Sequence, residues 1–94
     1  MSASRILKYP VPPGVSEIEA SVARWLGVAW QGDDLVVWAE VWEGEPARVR
    51  LIVVMTGDYV PYTGAEMVGH VGSAQRILPD GSPFVAHVYA GFVR

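Results

Sequence analysis

Turn-forming residues cut this chain into pieces too short for anything but strands. Breaks fall at Pro10-Val11-Pro12-Pro13-Gly14, Gly32-Asp33-Asp34, Glu43-Gly44-Glu45-Pro46, from Gly57 through Gly64, and at Pro79-Asp80-Gly81-Ser82-Pro83. Between them lie runs rich in Val, Ile, Trp and Tyr, at the length and spacing of strands in an all-β domain. The expected strands cover 4–9, 17–30 with an interruption near 20–22, 35–42, 47–56, 67–77 and 84–93. The expected architecture is all-β: a compact, mainly antiparallel sandwich or partly closed barrel of about six strands, with residues 1–94 forming one domain. One segment supports an alternative. Ser16-Glu17-Ile18-Glu19 has the spacing of a capping box, and Ile18, Val22 and Leu26 recur at helical intervals, so a short helix over 17–26 would make the fold α+β.

Composition limits the function classes. The 94 residues carry seven Lys and Arg against ten Asp and Glu, for a net charge of −3. Coating a nucleic acid polymer requires clustered cations that neutralise phosphates, so no such partner is expected. With no cysteine, disulfide frameworks, thiolate zinc sites and cysteine nucleophiles are excluded. The opening Met1-Ser2-Ala3-Ser4-Arg5 lacks the apolar stretch of a signal peptide, and no apolar run approaches ~18 residues, which points to a cytoplasmic protein without membrane association. Half of the residues are hydrophobic (51%), more than one small core needs, and this points to burial against a second copy of the chain.

The clearest hairpin turns at Gly32-Asp33, where Gly accepts the positive φ that two-residue turns demand. That register sets Trp30 opposite Leu35, Val28 opposite Val37, Leu26 opposite Ala39 and Arg24 opposite Val41 on an aliphatic core face. The other face then carries Trp25 opposite Glu40, Gly27 opposite Trp38 and Ala23 opposite Trp42. A second hairpin through Glu43–Pro46 has one parity that keeps Arg48 and Arg50 out of the core, placing them beside Trp42 and Glu40. The candidate binding residues are therefore Trp25, Trp38, Glu40, Trp42, Arg48 and Arg50. Aromatic rings stack on nucleobases and Arg grips phosphate, so this face suits a nucleotide-like anion such as a cyclic nucleotide immune signal. It equally suits a second core layer, a cation–π pair or a dimer interface, all of which favour the same residues.

Other chemistry is sparse. With a turn at Asp80-Gly81, His70 falls opposite residue 90 or 91 and His87 about three positions out of step, roughly 10 Å along the strand at ~3.3 Å per residue, too far for shared metal ligation. No G-x-S-x-G elbow is present, and Gly72-Ser73 lies within a strand. The segment between Gly57 and Gly64 lacks a phosphate-loop Gly-Lys-Ser/Thr, and Tyr59 and Tyr62 read as tyrosines packed in a turn. Asp33-Asp34 and Glu43/Glu45 sit in turns, where solvation accounts for them. No catalytic residue, metal site or cofactor is expected, and the function expected is a non-enzymatic binding module that self-associates.

Several fragments together resemble one family. Ile6-Leu7-Lys8-Tyr9-Pro10, a strand running into Gln31-Gly32, Leu35-Val36-Val37-Trp38-Ala39, Thr56-Gly57, His70-Val71-Gly72-Ser73-Ala74-Gln75 and Phe84-Val85-Ala86-His87-Val88-Tyr89 are similar, in order and spacing, to small uncharacterised proteins of tailed bacteriophages and prophages. The resemblance spans nearly the whole chain. It departs from the family pattern at Ser73-Ala74, where Thr-Val is usual, and in extending past Tyr89 to Arg94. It implies a phage origin, action in the host cytoplasm and a host protein as a partner. The family has no established activity, so it supplies no catalytic residue.

Overall fold

A computed structural model describes residues 3–60 and 68–93. Seven strands succeed one another: β1 (Ser4–Pro10), β2 (Gly14–Ala20), β3 (Val22–Gln31), β4 (Asp34–Trp42), β5 (Ala47–Met55), β6 (Val68–Ile77) and β7 (Pro83–Phe92). They form two antiparallel sheets, a three-stranded one in the order β1-β4-β3 and a four-stranded one in the order β2-β5-β7-β6. The all-β sandwich expected from the turn punctuation is what forms, with seven strands rather than six because the long segment at 17–30 divides at Ser21 into β2 and β3. No helix occurs among the described residues, and none is therefore long and apolar enough to cross a membrane.

Residues 17–26 take no helical turn. In β2 the side chains alternate, with Ser16, Ile18 and Ala20 less exposed than Val15, Glu17 and Glu19. Two glutamates pointing one way opposite Arg50 and Arg48 of β5 satisfy a strand, whereas the same spacing on a helix would leave Ile18 and Val22 without a facing layer.

The core lies between the sheets. Leu35 and Val37 of β4 meet Val49, Leu51 and Val53 of β5 and Ala86, Val88 and Ala90 of β7, with Trp25, Val28 and Trp30 of β3 packed against them. Alternation along each strand produces this directly: odd positions of β4 and β5 and even positions of β7 point inward. The β3–β6 side is closed by Trp30, whose Nε1–H donates to the Ala74 carbonyl at 3.2 Å, with the Phe84 ring 5.9 Å away and the Arg76 guanidinium 4.9 Å above the indole. Arg76 in turn pairs with Asp33 at 3.0 Å. In the β6–β7 turn, the Ser82 hydroxyl and amide both donate to Asp80 and hold its carboxyl below the usual range.

The β3–β4 hairpin keeps the expected register only near its turn. Trp30 faces Leu35, Val28 faces Val37 and Gly27 faces Trp38, but a bulge between Trp25 and Gly27 then moves Trp25 opposite Ala39 and Arg24 opposite Glu40, and a second between Val22 and Arg24 moves Val22 opposite Val41. The expected Leu26–Ala39, Arg24–Val41, Trp25–Glu40 and Ala23–Trp42 pairs do not form. A bulge adds one residue and reverses the facing of the residues beyond it. Here the first bulge turns the large Trp25 ring into the interior and leaves Leu26 outside at 42% exposure.

The larger departure is at Glu43–Pro46. This connection crosses from one sheet to the other, so β4 and β5 do not pair; β1 lies beside β4, and β2 lies beside β5. Consecutive strands pair about two-thirds of the time, and this is one of the exceptions. The outward parity of Arg48 and Arg50 holds, but on the opposite sheet.

Candidate functional site

The outer face of the three-stranded sheet presents Trp38, Glu40 and Trp42 from β4, Ser4, Ile6 and Lys8 from β1, and Arg24 and Gly27 from β3, by strand alternation and pairing. Trp42 is 46% exposed and Ile6 64%. The polar side chains on this face are tied to one another: Lys8 Nζ donates to Gln31 Oε1 at 2.8 Å, and Arg24 Nε donates to Glu40 Oε1 at 3.2 Å. What remains toward solvent is an aromatic and aliphatic strip, flanked by the Arg24–Glu40 ion pair and the Lys8–Gln31 hydrogen bond.

The six residues expected to share one face are therefore divided three ways. Trp38, Glu40 and Trp42 are together. Trp25 packs into the core from the same sheet. Arg48 and Arg50 lie on the outer face of the four-stranded sheet, where Glu17 accepts from Arg48 Nη2 at 3.0 and 3.1 Å and stands 3.8 Å from Arg50 Nη2. No ligand of nucleotide size touches both the tryptophan strip and the arginines, because the core lies between them.

The outer face of the four-stranded sheet holds a constellation that sequence spacing missed. His70 pairs with Tyr89 and Ser73 with His87, because a bulge between His70 and Gly72 inserts Val71 and turns His70 to the same side as Ser73. The expected 10 Å offset between the histidines disappears: their ring centroids are 6.4 Å apart. Ser73 Oγ lies 3.0 Å from His70 Nε2 and 2.6 Å from His87 Nδ1, and Thr56 Oγ1 lies 2.8 Å from His87 Nε2. Tyr89 meets the His70 ring edge-on at 5.3 Å.

Four side chains thus form a continuous hydrogen-bonded row, His70–Ser73–His87–Thr56. With His87 protonated on Nε2, it donates to Thr56 while Nδ1 accepts the Ser73 proton and Ser73 Oγ accepts from His70 Nε2–H; the reverse polarity is equally complete. Beside the row is an open concavity of about 200 Å³, lined by Val54, Met55, Thr56, Gly57, Asp58, Val60, His87 and Tyr89. Asp58 is placed there by a tight turn in which its amide donates to the Met55 carbonyl at 3.0 Å and Gly57 takes a φ of 98°. Tyr59 in the same turn is 97% exposed, so it does not pack as expected, and Tyr62 lies outside the described residues. A second hollow of about 320 Å³, between Pro10–Pro13 and Asp33–Leu35 at one end of the sandwich, carries no comparable polar network.

A family model describing a domain of unknown function, DUF7352, matches residues 2–93. The chain belongs to the DUF7352 family. No curated protein and no solved structure matches it. Membership of DUF7352 agrees with the uncharacterised family suggested by the fragments Ile6–Pro10 through Phe84–Tyr89, and it transfers no residue role. What the site does must therefore come from its geometry. The signal that would have exposed the histidine row in a DUF7352 sequence is faint: glycines at 69 and 72 flanking His70-Val71 are compatible with a bulge, but do not give its position.

Proposed function

We propose that this DUF7352 chain is a non-enzymatic interaction module that self-associates through the outer face of its three-stranded sheet. The observation that carries this is the strip of exposed Ile6 and Trp42 with half-buried Trp38, on a face where Arg24 pairs with Glu40 and Lys8 is hydrogen-bonded to Gln31. Covering it with a second copy removes apolar surface from water while Glu40 keeps Arg24 as its partner and Lys8, on the edge strand β1, keeps its ammonium at the rim, which is the condition a stable interface must meet. Trp is also the residue most enriched among those that dominate interface energetics.

Area sets the strength. Three strands about 4.8 Å apart and nine residues long at ~3.3 Å each present roughly 450 Å² in projection. That sits at the low end of specific interfaces, below ~1,200 Å² counting both partners, so the dimer is expected to dissociate in the micromolar range. The resemblance to tailed-phage proteins supports an origin in a phage or prophage and action in a host cytoplasm, where a host protein is the other partner consistent with this face. A nucleotide-like ligand gains no support, since its proposed Trp and Arg contacts lie on opposite faces.

Sedimentation velocity from about 5 to 500 μM tests the proposal. The wild-type chain is expected to shift from monomer toward dimer across that range, and Ile6→Lys/Trp42→Lys to remain monomeric with its melting temperature at low concentration unchanged within a few degrees. A wild-type chain that stays monomeric at 500 μM sinks the self-association.

A further inference from the structure

We propose that the open edge of β1 docks an extended peptide segment of a partner protein, one that alternates apolar with acidic residues and adds to the three-stranded sheet as an antiparallel fourth strand. The backbone fixes which groups are on offer. Val11 N–H donates to the Leu35 carbonyl at 2.8 Å and Glu43 N–H to the Ala3 carbonyl at 3.1 Å, one bond at each end of the β1–β4 ladder. Hydrogen-bonded and non-bonded pairs alternate along an antiparallel ladder. Arg5, Leu7 and Tyr9 therefore bond to β4, and the N–H and C=O groups of Ser4, Ile6 and Lys8 point away from it. No strand lies on that side among the described residues. Pro10 has the same parity, so its missing N–H takes nothing from the ladder.

The layering leaves a place for the added strand. At the other side of the sandwich β3 lies against β6, where Trp30 donates to the Ala74 carbonyl and Gly72 backs onto Val28. Three strands that begin over β6 end one short of the four beneath them, above β2. Burial agrees. Val49 and Leu51 on the inner face of β5 are enclosed, whereas Ser16 and Ile18 on the inner face of β2 are half-buried. Leu7 and Tyr9 of β1, which share a core cluster with Ile18, are half-buried as well. A strand ~4.8 Å beyond β1 sets its inward side chains on this margin and makes the sandwich four strands over four.

Charge selects the partner. Lys8 bonds to the neutral amide of Gln31, and Arg5 carries no ion pair among the described residues. This edge is therefore basic on a chain whose net charge is −3. Directly opposite residues of paired strands share a face. Partner residues bonded to Ser4, Ile6 and Lys8 thus point outward, where a carboxylate answers Lys8, and those between them point inward and are apolar. A second copy fits this edge less well, because it brings its own Glu17 and Glu19 toward those already on β2, like against like.

A blocked peptide of alternating Glu and Val, seven residues long like β1, titrated into nitrogen-15-labelled chain tests the site. Saturable binding below ~1 mM is expected, with the largest amide shifts and slowed hydrogen exchange at Ser4, Ile6 and Lys8. N-methylating the glutamates, whose N–H groups face β1, should abolish binding, whereas N-methylating the valines, whose N–H groups face away, should change it by less than about threefold. Replacing glutamate with lysine should weaken binding by about fivefold or more, and Lys8→Glu should remove that preference. The Ile6→Lys/Trp42→Lys chain, which lacks the association strip, should bind as the wild type does. No saturation at ~2 mM peptide, shifts centred away from β1, equal effects of the two N-methylations, a glutamate preference unchanged in Lys8→Glu, or loss of binding in Ile6→Lys/Trp42→Lys overturns the proposal. Ser4, Ile6 and Lys8 amides already protected before peptide is added would overturn it too, by placing a second copy on the edge.

Discussion

At the scale of single residues, one glycine lies where the two sheets pack tightly. A Cβ built on Gly72 of β6 stands 3.0 Å from Val28 Cγ2 and 3.5 Å from Val28 Cβ. Glycine in a strand interior is unfavourable by roughly 0.5–1 kcal/mol relative to alanine, so an alanine here would be stabilising if the space were free. It is not free. Overpacking typically costs 1–3 kcal/mol, and Gly72→Ala is expected to destabilise by about 1 kcal/mol net. Adding Val28→Ala removes the clashing methyl. In a double-mutant cycle of urea midpoints the pair is therefore expected to couple favourably by at least ~0.5 kcal/mol. Strict additivity would show that β3 and β6 do not meet at this point.

At the scale of strands, the alternation of apolar and polar residues was legible almost everywhere it was regular, and the bulges were not. Val49, Leu51 and Val53 inward with Arg48 and Arg50 outward could be read from the sequence because reversing β5 would bury two guanidinium groups. Nothing comparable announced that Leu26 is the extra residue of its bulge, since Trp25 and Leu26 are both apolar and either can face the core. Which sheet β5 joins was equally hidden: a four-residue connection such as Glu43–Pro46 serves a hairpin and a crossing between sheets alike. The histidine row was lost for the same reason, through one inserted residue at Val71. The bulge in β3 yields a sharp contrast between neighbours. Trp25→Ala is expected to cost about 2–3 kcal/mol, less than the 3–5 of a fully enclosed ring because Trp25 is only partly buried. Leu26→Lys, at an exposed position, should change stability by under ~0.5 kcal/mol. Chemical denaturation of both variants checks this; a larger loss at Leu26 than at Trp25 would mean the strand runs unbulged, as simple alternation suggests.

At the scale of the molecule, the question is whether two sheets joined by crossing connections unfold as one. The chain passes between them three times by adjacent strands, from β1 to β2, β2 to β3 and β4 to β5, and the main core cluster draws on both. Neither sheet buries its inner face without the other, so a state with one sheet folded exposes the same Val, Leu and Ala side chains as full unfolding. The tryptophans make this testable without a label. All four, Trp25, Trp30, Trp38 and Trp42, lie in β3 and β4 of the three-stranded sheet, whereas Leu51, fully buried, belongs to the four-stranded one. Leu51→Ala removes buried methyl groups and leaves a cavity, at a cost of about 2–5 kcal/mol. For a domain of this size, each kcal/mol lowers Tm by roughly 4–8 °C. Tryptophan fluorescence, whose four emitters all belong to the sheet that does not contain Leu51, should therefore report a midpoint at least ~10 °C lower, coincident with the loss of far-ultraviolet circular dichroism. If fluorescence held at the wild-type midpoint while the dichroism fell early, the three-stranded sheet would be standing alone.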